Sequence, residues 1–133
     1  MSTRLRDVVV AQHRRLLTVI DRAENSLDDA ALRRVRKSVL EHLDTEKTTL
    51  FPLAEHVGDG ARYGEEEHLV LQFALERLLD AKATRDRATR IRVLRDLFVH
   101  HMERTEWVTL QLLERPARMQ SPSARAQPRR KAR

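Results

Sequence analysis

The sequence predicts an all-α protein, an up-down-up-down antiparallel four-helix bundle, on three observations. Only three Gly and four Pro interrupt 133 residues, of which 41% are hydrophobic and 35% charged. That balance suits long amphipathic helices better than strands and turns. Apolar residues recur at steps of three, four or seven in four separate segments of roughly 20 residues. Short polar links join them, and short links make sequence neighbours antiparallel. The length suits one domain with a single core.

The first segment runs from about Arg4 to Ala23. Leu5, Val9, Leu16, Ile20 and Ala23 share its face, and His13 falls in the same stripe. "NSLDDAALRR" breaks the pattern and offers Ser26, Asp28 or Asp29 as N-cap, so the second helix starts near Asp29. Its stripe reads Leu32, Val35, Val39, His42, Glu46, Leu50. Pro52 and then "GDG" at 58–60 end it, with room for a short extra turn containing His56. The third helix starts around "GEEEH", where Glu65, Glu66 and Glu67 complement the positive end of the helix dipole. It extends to about Arg85 with Leu71, Leu75, Leu78 and Leu79 on its apolar face and His68 one turn before them. "ATRDRAT" is the next polar link. The fourth helix runs from about Thr89 to Glu114, with Leu94, Leu97, Phe98, His101, Val108 and Leu112 together and Pro116 closing it. Phe98 and Trp107 are expected in core or bundle-end packing.

The net charge of +6 belongs to the last stretch. Residues 115–133, "RPARMQSPSARAQPRRKAR", carry six Arg, one Lys and no acid, a local +7 that leaves −1 for residues 1–114. The division expected is therefore a bundle over 1–114 and a basic tail over 115–133, too poor in apolar residues to offset its ordering entropy. The tail lacks interleaved aromatics, so it is expected to make at most salt-sensitive phosphate contacts through Arg129, Arg130, Lys131 and Arg133. The longest apolar run near the start, "VVVA", is too short for a signal-peptide core or a membrane span, and a cytoplasmic protein is expected. With no cysteine, disulfides, thiolate metal sites and cysteine nucleophiles are excluded.

Each predicted helix carries one His on its core-facing stripe: His13, His42, His68 and His101. One such residue is ordinarily a hydrogen-bonded core histidine. Four on four helices would each need a polar partner in an interior that offers few, and a shared metal centre satisfies them together. His42 and Glu46 stand one turn apart on one face, and Glu106 follows His101 by five residues, so two carboxylates are at hand for two cations. Imidazole and carboxylate donors suit iron. His56 is expected as a solvated surface residue.

The ordered pattern of His13, "HLDTE" followed by "LFP", "EEH", and "HMERTE" resembles the hemerythrin-like family, also called the HHE cation-binding domain, over residues 1 to about 114. The resemblance implies a di-iron centre, oxo- or hydroxo-bridged, with His13, His42, Glu46, His68, His101 and Glu106 as ligands and the two carboxylates as bridges. Oxygen carriers of the family have a further third-helix His where this chain has Gly64, so Glu65, Tyr63, His100 or solvent is expected in its place. Glu106 matches the five-residue step of the oxygen carriers, while many relatives have His-x-x-x-Glu. Five residues turn a side chain by about 140° on an ideal helix, which calls for the longer Glu reach or a local helix distortion.

A site short of one imidazole has more exchangeable positions. That favours peroxide consumption of a catalase-like kind, nitric oxide binding or iron handling over clean carriage of dioxygen. The absence of cysteine argues against the iron–sulfur repair branch of the family, and the length against a sensor fused to signalling modules. Two other classes compete. One is a metal-free helical interaction module whose tail contacts nucleic acid or an acidic partner. The other is a ferritin-like carboxylate site, for which only Glu65 with His68 fits the Glu-x-x-His motif.

Overall fold

A computed structural model of the chain describes residues 3–114; the basic segment 115–133, and with it the expected tail, lies outside the described residues. Helix accounts for nearly all of the described chain, in four rods. The first is α1 (Thr3–Ser26). The second is α2 (Asp29–Thr45), which passes through a π-turn (Glu46–Leu50) into α3 (Phe51–Ala54). The third is α4 (Gly60–Asp80). The fourth is α5 (Thr84–Arg104), which passes through a second π-turn (Thr105–Thr109) into α6 (Leu110–Glu114). Among the described residues there is no strand, and no helix is long and apolar enough to cross a membrane.

The links are tighter than the polar stretches of the sequence indicated. Leu27 adopts a left-handed φ of 54° and its N–H reaches Ala23 O at 2.8 Å, closing α1, while the Asp28 carboxylate accepts from the Ala31 N–H at 2.7 Å and caps α2. The expected link "ATRDRAT" is instead mostly the first two turns of α5, and α4 stops at Asp80 rather than near Arg85. Polar residues without Gly or Pro do not break a helix; the chain turns on the extended Ala81 and Ala83. Arg87, inside α5, then ties both links together. It donates to Ala81 O at 3.0 Å, to Leu27 O at 2.8 Å and to Asp29 at 2.7 Å.

Pro52 does not end the second rod. It sits in the first turn of α3, where a missing N–H is least costly, and helix continues to Ala54. The third rod begins at Gly60, a turn before "GEEEH".

Both π-turns shift the buried face by one residue. A regular helix would bury Leu53, seven residues after Glu46, and the expected Val108 and Leu112. Leu53 and Val108 are exposed and Leu112 only partly buried, while Ala54, Leu110 and Leu113 are buried. Trp107, expected in the core or at a bundle end, is 69% exposed, because it stands on the side of the fourth rod away from the apolar stripe.

Two apolar clusters make up the interior. The larger joins Leu16, Ile20, Val35, Val39, Leu71, Leu78, Ile91, Leu94 and Phe98; the smaller joins Val9, Leu50, Phe51, Ala54, Ala61 and Leu110. Each rod crosses from one cluster to the other through a histidine: His13 between Val9 and Leu16, His42 between Val39 and Leu50, His68 between Ala61 and Leu71, His101 between Phe98 and Leu110. Ion pairs set the alignment of the rods. Arg6 meets Glu114, His13 meets Glu106, Asp21 meets Arg95 and Glu24 meets Arg92, so partner numbers on the fourth rod fall as those on α1 rise. The third and fourth rods behave alike, with Tyr63 against Arg104, Glu67 against His101 and Arg77 O against Arg90.

Candidate metal centre

Between the two apolar clusters lies a polar layer with Glu46 at its middle. Glu46 is fully buried, and a lone carboxylate there would be too costly to ionise without partners. Four imidazole Nε2 atoms supply them. Those of His13 and His42 lie 3.3 Å from Oε2, and those of His68 and His101 lie 2.9 Å from Oε1. The carboxylate thus divides the histidines into two pairs, one on each oxygen. The pairs approach each other closely, with the Nε2 atoms of His42 and His101 only 3.4 Å apart. One donor atom from each of His13, His42, Glu46 and His101 falls within 4.8 Å of the others, all buried, a cluster that could hold a metal ion.

The outward nitrogens are held as well. Nδ1 of His13 lies 2.8 Å from a Glu106 carboxylate oxygen, that of His42 3.2 Å from Gln12 Oε1, and that of His101 3.1 Å from a Glu67 carboxylate oxygen. These bonds fix each ring with Nε2 facing Glu46, the arrangement in which a metal-ligating imidazole is oriented by its other nitrogen. Gln12 is itself anchored on Thr45 at 3.3 Å. Phe98 stands edge-on to His13 and His42, with ring centroids at 5.8 and 5.7 Å, and closes the layer on the side of the larger cluster.

Electrostatics follow from this packing. Burial alone would raise the Glu46 carboxyl, yet bonds from His101, His13, His42 and His68 hold it well below the usual carboxylate range. Burial likewise opposes charge on His101, but Glu46 and Glu67 on its two nitrogens outweigh it and raise the imidazole to about 9. On His42 burial wins over the bond to Glu46 and lowers the imidazole below its ordinary value. The packing thus favours the charged forms of Glu46 and His101 and the neutral form of His42.

The structure therefore brings together His13, His42, Glu46, His68 and His101. Glu106 also reaches the cluster, but on the outer nitrogen of His13, so it is placed to orient that ring; a bridging position would require it to leave His13. The five-residue step from His101 is accommodated by the π-turn at Thr105–Thr109, the helix distortion that the spacing called for. Tyr63, Glu65 and His100 are not brought in. All three are exposed: the Tyr63 ring lies under Arg104, with the guanidinium carbon 3.4 Å from its centroid, and His100 only approaches Glu67 at 4.0 Å. The space beside Gly64 belongs to Phe51. A Cβ added at Gly64 would stand 2.6 Å from the Phe51 ring, whose face tilts against His68 with centroids 4.7 Å apart. His56 is exposed, as expected.

Two features escaped the sequence reading. Glu67 was counted with its neighbours as a helix-start acid, yet it alone of the three lies four residues before Leu71 on the inner edge of α4 and turns in to His101. The other is a repeated hexapeptide, "TEKTTL" at 45–50 and "TEWVTL" at 105–110, which coincides with the two π-turns and carries the two carboxylates that flank His13. A search for the pattern Thr-Glu-x-x-Thr-Leu would have found it. No protein-family description, no curated protein and no solved structure matches this chain.

Proposed function

We propose that this chain is a hemerythrin-like non-haem iron protein, an up-down-up-down antiparallel bundle whose polar layer holds iron for reaction with dioxygen, peroxide or nitric oxide. One observation carries the reading: a buried carboxylate with the Nε2 atoms of four buried histidines, one from each rod, within 3.3 Å of it. The falling partner numbers along the paired rods support the antiparallel arrangement. Two imidazoles and one carboxylate oxygen on each side of Glu46 form the donor set that suits non-haem iron with positions left open. His13, His42, His68, His101 and Glu46 would hold at most two iron ions.

Bound iron would supply electrons and open coordination positions. The chain's own residues do the rest. His13, His42, His68 and His101 present Nε2, and Glu106, Gln12 and Glu67 keep three of those rings aligned. Phe98 and the aliphatic residues on either side limit water. With no third imidazole at Gly64, the reading favours peroxide disproportionation to water and dioxygen, which needs no co-reactant, and nitric oxide binding over oxygen carriage.

Exposure of the iron-loaded protein to peroxide and to nitric oxide tests this. Dioxygen release from peroxide and a changed visible spectrum with nitric oxide are expected, both lost in His42→Ala while helical circular dichroism persists. Stable, fully reversible dioxygen uptake without peroxide turnover would replace the proposed activity by carriage. A loaded protein inert to all three ligands would contradict it.

A further inference from the structure

Among the described residues, three cavities adjoin the polar layer. One, of about 330 Å³, has His101 and Glu67 in its wall; one, of about 610 Å³, has His68 and Phe51; one, of about 220 Å³, has His42 and Gln12. They are not equivalent as ways in. The outer nitrogens of His42 and His101 are covered by Gln12 and Glu67, and His13 is covered by Glu106. Among the described residues nothing bonds the outer nitrogen of His68. It is also the most exposed of the four imidazoles at 7%, against 0% for His13, 3% for His42 and 1% for His101. Its cavity is the largest of these three.

The wall of that cavity indicates what passes. The Phe51 ring, which fills the space beside Gly64, stands in this wall and lies against His68. Leu40, Leu43 and Leu69 add further apolar surface. The charged residues there are Asp44, Glu65 and Lys47, so there is no positive field to draw in an anion.

We infer that the cavity between the second and third rods, walled by Phe51 and ending on His68, is the route by which a small neutral ligand such as nitric oxide, dioxygen or hydrogen peroxide reaches the centre. This rests on the proposed iron centre and adds to it a direction: ligands approach the His68 and His101 side of Glu46.

The chain has no cysteine, so single thiols can be placed at will. Gln72→Cys puts one in this cavity, Ser38→Cys one beside His42, and Val70→Cys one beside His101, at positions that are exposed or half-buried. Each iron-loaded variant is treated with a bulky reagent that forms a reversible mixed disulfide, and nitric oxide association is followed by stopped-flow absorption. Iron content is measured before and after. Blocking position 72 is expected to slow association by at least about tenfold, with recovery on release of the blocking group, while blocking 38 or 70 changes it less than about twofold. Slowing at 38 or 70 in place of 72, or at none of the three, overturns the route. A chain that takes up no iron fails at the loading step, which overturns the centre itself and is seen separately from the kinetics.

Discussion

At Gly64 the backbone has room for hydrogen and nothing more. The Phe51 ring stands 2.6 Å from where a Cβ would be, in a site already bounded by His68. Gly64→Ala is therefore expected to destabilise by about 1–3 kcal/mol through overpacking, in spite of alanine's better helix propensity. The denaturation midpoint checks this, and Phe51→Leu in the same chain should recover part of the loss. His101 supplies a second expectation at this scale. Its folded-state value of about 9 lies above the ordinary value of 6.5, so its contribution to metal-free stability is complete below about pH 6.5 and is lost as pH rises through about 9. His42, lowered by burial, titrates below that window and does not offset the loss. Urea midpoints of the metal-free protein should fall between pH 6.5 and 9, and Glu67→Gln, which removes one of the two carboxylates on His101, should make that fall smaller. A flat profile would contradict the assignment.

Among the elements, the two π-turns matter most to the site. In the fourth rod the extra residue lets Glu106 turn back to His13 while Leu110 and Leu113 stay in the core. Deleting the exposed Trp107 should convert the π-turn to regular helix and keep that apolar register, since the leucines then follow Thr105 at ordinary spacing. The variant is expected to fold with near-native helicity, lose the Glu106–His13 bond and bind iron about 10–100-fold more weakly, as measured by competition with a chelator. Unchanged affinity would remove Glu106 from any supporting role.

These same turns mark where the sequence stopped being legible. Four helices and the histidine stripe follow from periodicity, because His13, His42, His68 and His101 each hold a place among residues of 3.6 spacing; the polar break narrowed the α2 cap to Ser26, Asp28 or Asp29, and the structure selects Asp28. Periodicity assumes a constant turn, however, so it points Val108 and Leu112 inward, whereas the π-turn leaves Val108 exposed and Leu112 only partly buried. The polar start of α5 resembles a link because its charged residues interrupt the apolar pattern without breaking the helix. Phe51 beside Gly64 was invisible for another reason: the contact joins two rods, and no spacing along one chain segment reports it. Glu67 was overshadowed by a sound but different role for acids at a helix start.

For the molecule as a whole, the polar layer is a cost that the two apolar clusters carry. Five titratable side chains buried between them replace aliphatic packing, and Glu46 and His101 keep their charged forms only through the partners that the layer itself supplies. Such a layer is expected where a cation completes it, because an ion that binds the folded chain alone adds stability of about 2.7 kcal/mol at a hundredfold excess over Kd. Metal analysis of the purified chain, with its absorption spectrum and helical dichroism, tests the central claim most directly. The account predicts iron at up to two ions per chain with near-ultraviolet charge-transfer bands, and loss of that iron in Glu46→Ala with most of the helical signal kept. A colourless chain that takes up no iron when it is offered, with the same fold and the same thermal midpoint before and after, would contradict it.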